Sequence, residues 1–157
     1  MVRGFCAALV AALVFPAAAA AHTDFGPQLA FDWPAQGTVT SPFGRDGYRW
    51  HPGLDIGSLR SLDIRAASAG VVAKTGYITG YDGYGDVVVV NLGGGFSALY
   101  AHLSRTVARV GQQVLPGQLL GIAGCTGWCT GTHLHFELRY RGHPMDPAPL
   151  MTAQVLG

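Results

Sequence analysis

The chain has 157 residues, which is enough for one domain with a single core. Ten Lys and Arg residues stand against nine Asp and Glu residues, a net charge of +1, so nucleic-acid binding has no electrostatic basis. Charged residues make up only 12% of the chain and glycine accounts for 23 positions, a composition that disfavours helices and favours short strands with tight turns.

The first 21 residues have the order of a secretory signal peptide. Arg3 gives a positive start, residues 5–15 are apolar, and residues 17–21 supply small side chains before a predicted cleavage at His22. An uncleaved anchor is the alternative, because residues 4–21 are near the lower length limit for spanning a membrane. The weakly apolar, alanine-rich second half favours cleavage. We therefore predict an exported protein, periplasmic or extracellular, without stable membrane insertion after cleavage.

The rest of the chain contains apolar runs separated by turn signals. We predict a short lead-in over residues 22–33, one domain over residues 34–151 and a tail over residues 152–157. Four valines within residues 86–92 indicate a buried strand, and three glycines at 93–95 predict a hairpin turn. No helical periodicity is present, so the predicted fold is all-β, compact and mostly antiparallel. The predicted strands include residues 39–40, 70–74, 86–92, 96–102, 110–114, 119–122 and 132–140.

Cysteine usage also fits export. Cys6 leaves with the predicted leader, and Cys125 and Cys129 remain as a pair. In an exported protein such a pair indicates a disulfide that pins a loop. A zinc thiolate pair is the alternative, but the chain has no second cysteine pair to complete it.

Two histidines on the last predicted strand form the clearest chemical motif. Side chains alternate along a strand, so His133 and His135 share one face, with Glu137 following them, while Leu134 and its apolar neighbours face the core. Exposed strand histidines would give the same pattern, so this motif alone is a modest signal. One of the two could bind a metal ion.

A second motif surrounds a Pro-Gly bend, where His51 and Asp55 lie four residues apart. One histidine of the first motif with His51 and Asp55 would supply the three protein ligands of a catalytic zinc site. A turn carboxylate is the alternative role for Asp55. His102 ends a predicted strand, where a hydrogen bond to the backbone would equally explain it, and His143 is predicted to lie in a turn.

Four stretches resemble the lysostaphin-type, LytM-like peptidoglycan endopeptidases. They are SPFGRDGYRWHPGLDIG (residues 41–57), ALYAHL (98–103), GQQVLPGQLLGIAGCTGWCTGTHLHFELR (111–139) and PMDPAPLM (144–151). The resemblance runs from about residue 33 to residue 151. It implies a compact antiparallel β domain, built on a duplicated hybrid motif, with a groove over a zinc site.

The resemblance also implies residue roles. His51, Asp55 and His135 would hold Zn²⁺, while His102 and His133 would be catalytic histidines that do not bind the metal. The implied activity is hydrolysis of peptide bonds in the stem or cross-bridge of peptidoglycan. Glu137 is expected to support the site rather than to act as the base. Groove-lining aromatic residues are predicted at four positions, where ordinary loop aromatics are equally compatible: Tyr48, Tyr81, Tyr84 and Trp128.

The chain departs from the family pattern at residues 58–63 and at the cysteine pair, and both departures bear on substrate preference. A catalytically silent regulator of another wall hydrolase is the main alternative function. It would be favoured by a missing zinc ligand, and none is missing. A biotinyl or lipoyl carrier domain is a weaker alternative, because Lys74 is poorly placed for a hairpin tip. The sequence gives no indication of oligomeric state.

Overall fold

A computed structural model describes residues 30–47 and 49–152 of the protein. These residues form twelve strands and two short 3-10 helices, which confirms the all-β prediction. The predicted leader (residues 1–21) and Tyr48 lie outside the described residues. The strands are β1 (Thr38–Ser41), β2 (Gly44–Asp46), β3 (Arg49–His51), β4 (Leu54–Gly57), β5 (Asp63–Arg65), β6 (Gly70–Tyr77), β7 (Asp86–Gly93), β8 (Phe96–Thr106), β9 (Gln113–Val114), β10 (Leu119–Ala123), β11 (Leu134–Tyr140) and β12 (His143–Met145). The 3-10 helices span Asp82–Tyr84 and Ala148–Leu150.

One antiparallel sheet dominates the domain. Its main path runs β1-β4-β11-β8-β7-β6-β9. In addition, β12 pairs with β11, and β10 pairs with both β8 and β5. The strands β2 and β3 form a separate hairpin that precedes β4. Strand β11 lies near the centre, paired with both β4 and β8, so its side chains are surrounded by neighbours on both strands.

Apolar side chains cover both faces of the central strands. On one face Tyr100 of β8 stacks against Phe136 of β11, with ring centroids 5.3 Å apart, and the buried Ala67 N–H donates to the Tyr100 hydroxyl at 2.9 Å. On the other face a smaller cluster contains Val87, Leu99 and Ala101. Burial on both faces explains why β7 is a run of valines rather than an alternating strand.

The sequence located the long strands and missed most of the short ones, although it predicted β1 and, within residues 110–114, β9. The β7–β8 hairpin with its glycine turn is confirmed. Strands β2 to β5 were not predicted, because each has only three or four residues and no apolar run. His143 was predicted in a turn, but the turn occupies residues 141–142 and His143 begins β12, exposed to solvent. Among the described residues, no helix is long and apolar enough to cross a membrane.

The described part of the predicted lead-in packs against the domain. Phe31 is buried in the main core, and its N–H donates to the carbonyl oxygen of Leu150 at 2.9 Å. Trp33 donates its indole N–H to the carbonyl oxygen of Thr152 at 2.8 Å. Residues 30–33 are therefore held against residues 150–152, beside the second 3-10 helix.

Burial predicts different costs for two leucine truncations. Leu138 has no exposed surface, whereas Leu115 is 69% exposed. We expect Leu138→Ala to lower the free energy of unfolding by about 2–5 kcal/mol, because it removes core contacts and leaves a cavity. The matched control Leu115→Ala should change it by less than about 0.5 kcal/mol. Urea unfolding measures both, and equal losses would contradict the described core.

Candidate metal centre

The register between β4 and β11 brings an acid and an imidazole together. His135 pairs directly with Asp55, between the pairs Leu134–Ile56 and Phe136–Leu54. The apolar neighbours of these two residues turn into the buried layer, so Asp55 and His135 share the opposite face. The His135 Nδ1 atom lies 2.8 Å from Asp55 Oδ1.

A close approach of the chain brings His51 to the same point. His51 ends β3, and the bend at Pro52-Gly53 leads directly into β4. A Cβ atom at Gly53 would collide with the carbonyl oxygen of Phe136, so only glycine allows the bend to press against β11. As a result His51 Nε2 lies 3.1 Å from both Asp55 Oδ1 and His135 Nδ1.

The outer nitrogen of each histidine faces an acceptor, which assigns its tautomer. His51 Nδ1 lies 2.8 Å from the carbonyl oxygen of Pro42, which can only accept, so this nitrogen carries the proton. His135 Nε2 likewise donates to Glu137 Oε1 at 3.0 Å. In the neutral rings, therefore, His51 Nε2 and His135 Nδ1 present lone pairs toward the carboxylate of Asp55.

These three atoms fit a zinc ion. Three lone-pair atoms so close together repel one another unless a positive charge lies between them. Nitrogen and oxygen ligands at zinc bond lengths of about 2.0–2.2 Å are about 3.3 Å apart in a tetrahedron. The observed separations of 2.8 to 3.1 Å are close to that value. His51, Asp55 and His135 are also the group within the described residues whose ligand atoms could hold a metal.

A proton and a metal ion compete for the ligand atoms of this cluster. Hydrogen bonding to Asp55 raises the pKa of His51 above its usual 6.5. Burial lowers the pKa of His135, but contacts with Asp55 and Glu137 outweigh burial and leave that pKa raised. Burial also opposes ionisation of Asp55, yet the two histidines hold its pKa well below the usual range. The cluster thus attracts positive charge while Asp55 stays ionised.

His102 reaches the site through a bulge in β8. Between the pairs Asp86–Leu103 and Val88–Tyr100, two residues of β8 oppose one residue of β7. His102 takes a positive φ of 61° there, a conformation rare for residues other than glycine. Strict alternation would turn its ring to the core side with Tyr100. The bulge instead sets the ring centroid 4.7 Å from that of His133, so the expected strand end is a bulge within a longer strand.

His102 and His133 share one arrangement. Each donates its Nδ1 proton to a backbone carbonyl, His102 to Thr126 at 2.8 Å and His133 to Gly131 at 2.7 Å. Each Nε2 therefore carries a lone pair. His133 Nε2 lies 3.7 Å from Asp55 Oδ1. This distance is longer than the 2.8 to 3.1 Å that separate the ligand atoms of His51, Asp55 and His135. Burial lowers the pKa of His102, which favours its neutral form.

A buried carboxylate supports His135 from behind. Glu137 is completely buried and accepts hydrogen bonds from His135, from Tyr84 Oη at 2.7 Å and from Arg139 Nε at 2.5 Å. Burial raises the pKa of Glu137, but these partners outweigh burial and keep the pKa below its usual value. The expected supporting role agrees with this geometry. Arg139 was missed, although its spacing of two from Glu137 places it on the same face.

An open groove of about 680 Å³ lies over the cluster. Three of the four predicted aromatic residues line it, namely Tyr81, Tyr84 and Trp128. Sequence reasoning missed Trp50, which is 62% exposed at the groove and packs edge-on against Phe43. The full lining is Ser41, Arg49, Trp50, His51, Pro52, Gly80, Tyr81, Asp82, Gly83, Tyr84, His102, Trp128 and His135.

The predicted disulfide is present beside the groove. Cys125 and Cys129 are bonded, with their Cα atoms 5.2 Å apart. The bond closes part of the loop between β10 and β11, and that loop supplies the carbonyl acceptors of both His102 and His133. The zinc thiolate alternative is therefore excluded for this pair.

An antiparallel β domain, with a His, Asp, His cluster whose two histidines line an open groove, is the arrangement of a metallopeptidase. Residues 49–147 match Peptidase family M23, and the chain belongs to that family.

Similar proteins include a lipoprotein, a peptidase and a murein hydrolase activator. The chain is 35% identical over 133 residues to a lipoprotein NlpD/LppB homolog of Pseudomonas aeruginosa, covering 84% of this chain and 43% of that protein. It is 36% identical over 118 residues to the DD-carboxypeptidase/endopeptidase Mpg of Neisseria meningitidis serogroup B, covering 69% and 26%. It is 32% identical over 121 residues to the murein hydrolase activator NlpD of Salmonella typhimurium, covering 77% and 31%. The chain thus spans less than half the length of these relatives.

Solved structures share the fold. A zinc-containing peptidase from Vibrio cholerae superimposes with a TM-score of 0.65 at 28% identity, covering 80% of this chain and 40% of that chain. The antimicrobial peptidase lysostaphin from Staphylococcus simulans gives a TM-score of 0.64 at 26% identity, covering 74% and 48%. The resemblance drawn from the motifs is confirmed.

The raised histidine pKa values predict that zinc affinity falls in acid. Since His51 and His135 hold protons more tightly than free histidine, protons compete with zinc from a pH above 6.5 downward. For each histidine that must lose a proton to bind zinc, the apparent zinc affinity should fall about tenfold per pH unit below the raised pKa. Competition titrations between pH 8 and pH 5.5 measure the slope. His143→Ala, an exposed histidine change, should leave the slope unaltered, and a pH-independent affinity would contradict the assignment.

Proposed function

We propose that the protein is an exported zinc metallopeptidase that hydrolyses peptide bonds in the stem or cross-bridge of peptidoglycan. The observation that carries the proposal is the arrangement of five polar side chains at the groove. Three present lone pairs to one point, and two further imidazoles lie beside it. Such a site can hold a metal and move protons at the same place.

His51, Asp55 and His135 are the proposed zinc ligands. A bound zinc ion supplies a Lewis acid that polarises a carbonyl and brings the pKa of water near neutrality. The carboxylate of Asp55 partly neutralises the metal charge. Glu137, tied to Tyr84 and Arg139, orients the His135 ring by accepting its Nε2 proton.

His102 and His133 are the proposed proton carriers. Their Nδ1 protons are committed to backbone carbonyls, so each Nε2 is free to accept a proton from the attacking water. One of the two then returns a proton to the leaving amine. Burial lowers the pKa of His102, so its ring is neutral near neutral pH and can accept a proton.

A peptide of the cell wall is the proposed substrate class. Membership of Peptidase family M23 supports it, and so does similarity to a protein named as a murein hydrolase activator and to one named as a DD-carboxypeptidase/endopeptidase. The groove is open to solvent, and the exposed rings of Trp50 and Trp128 line it, which suits an extended polymer. The leader-like N-terminus and the disulfide support export to an oxidising compartment.

A catalytically silent activator of another wall hydrolase is the second candidate. Similarity to the murein hydrolase activator of Salmonella typhimurium favours it. The complete set of five side chains favours the enzyme, because a purely binding role needs neither the ligands nor the two free imidazoles.

The test measures free amino groups released from purified peptidoglycan by zinc-loaded protein beginning at His22. We expect zinc-dependent release, abolished by a chelator and by His51→Ala, which removes a ligand. His133→Ala should retain zinc and lose about 10²- to 10⁴-fold in rate, because only proton transfer is removed. His143→Ala is the matched histidine control and should keep full activity. Absence of release by protein with one bound zinc, together with stimulation of a separate wall hydrolase, would establish the activator instead.

A further inference from the structure

Both free imidazoles depend on one loop, which we call the cystine loop (residues 124–133). It joins β10 to β11 and contains the Cys125–Cys129 disulfide. Its carbonyl groups at Thr126 and Gly131 accept the Nδ1 protons of His102 and His133. Among the described residues, no hydrogen bond links the loop to the proposed ligand His51, whose outer nitrogen donates to Pro42. The carbonyl groups of the loop thus act on the two proton carriers and not on His51.

The Thr126 end of the cystine loop is anchored by its own contacts. Thr126 Oγ1 donates to the carbonyl oxygen of Leu103 at 2.8 Å and accepts the N–H of Asp86 at 2.9 Å. The N–H of Trp128 donates to the carbonyl oxygen of Gly83 at 2.9 Å. Gly127, with a φ of 72°, lies so close to the backbone of residues 83–85 that a side chain has no room. His102 therefore has an acceptor held independently of the disulfide.

The Gly131 end is anchored more weakly, by the long hydrogen bond of 3.4 Å that the His133 N–H donates to the carbonyl oxygen of Gly124. Gly131 is exposed, and a Cβ atom there would meet nothing within 4 Å. Within the described ranges, no backbone-to-backbone hydrogen bond outside the strands ties residues 129–132 to the rest of the domain. The contact that remains is the sulfur of Cys129, which lies 2.9 Å from the Gly131 carbonyl oxygen and 3.8 Å from His133 Nδ1.

We infer that the Cys125–Cys129 disulfide is a positioning element for His133. By fixing Cys129 to Cys125, it holds the Gly131 carbonyl where His133 Nδ1–H can donate to it, and so fixes the orientation of the His133 ring with Nε2 on the side of Asp55. A disulfide sulfur has no hydrogen and does not compete for this carbonyl. A free Cys129 thiol is a donor at the same place, and the unlinked segment 129–132 can move away. The activity readout of this inference rests on the proposed function, whereas the spectroscopic readout of His133 does not.

The test cleaves the disulfide in the zinc-loaded protein with a water-soluble phosphine. The phosphine attacks one sulfur and breaks the S–S bond. Water then supplies the oxygen of the phosphine oxide and the two protons of the new thiols, so the phosphorus is oxidised and both sulfurs are reduced. A thiol assay confirms complete cleavage of the Cys125–Cys129 pair.

Histidine ¹H–¹⁵N spectra and hydrolysis rates are recorded before and after cleavage. We expect the His133 ring signals to lose the single Nδ1–H pattern, while His102 keeps its pattern and bound zinc is unchanged. Hydrolysis should fall at least tenfold, with full recovery after reoxidation. The spectral change and the loss of rate are both expected because cleavage releases the Gly131 acceptor of His133 and leaves the Thr126 acceptor of His102 in place.

Two variants make the assignment specific. The double variant Cys125→Ser and Cys129→Ser should show the reduced His133 pattern and should not respond to the phosphine. Thr126→Val removes the other anchor, so it should perturb His102 and leave His133 in place. Circular dichroism identifies a variant that fails to fold, and in that case the reduced wild-type protein carries the test.

An unchanged His133 spectrum after complete cleavage would overturn the inference, and so would loss of zinc on cleavage, because the effect would then act through the metal ligands. Hydrolysis that persists undiminished in the reduced protein would also overturn it while leaving the proposed function intact. If His133 responds but the oxidised protein hydrolyses nothing, the positioning role holds and the proposed function fails.

Discussion

The pairing of His135 with Asp55 across β11 and β4 is the constraint on which the site depends. It places a carboxylate and an imidazole lone pair on one face of a sheet whose other face is packed with apolar side chains. His51 completes a set of three acceptor atoms 2.8 to 3.1 Å apart. Such a set is stable only with a proton or a cation among its members, and Glu137 fixes the His135 tautomer that presents the Nδ1 lone pair to it.

Much of the site could be predicted from local sequence, because side chains along a strand alternate between its two faces with a period of two residues. Alternation along β11 was enough to separate the faces of His135 and Phe136, and the apolar runs located β7 and β8. The order of the histidine motifs and their family resemblance then indicated the ligand set. The choice between His133 and His135 as ligand came from the resemblance, since alternation places both on the same face.

The remainder depended on contacts between distant segments. The bulge that turns His102 toward the site arises where β8 meets β7 with unequal residue counts, which no local pattern encodes. Arg139 and Tyr84 converge on Glu137 from different elements. The cysteine pair predicted a disulfide, but only the fold reveals that its loop supplies the acceptors of both free imidazoles. Short strands such as β5 gain their pairing from tertiary context rather than from propensity.

X-ray absorption at the zinc edge of the loaded protein measures the proposed ligand set directly. We expect two imidazole nitrogens at about 2.0–2.1 Å, one carboxylate oxygen at about 2.0–2.2 Å and a further light-atom ligand. His51→Ala should reduce the imidazole count, and His133→Ala should leave it unchanged. A sulfur ligand at about 2.3 Å, or a third imidazole that disappears in His133→Ala, would contradict the division between metal ligands and proton carriers.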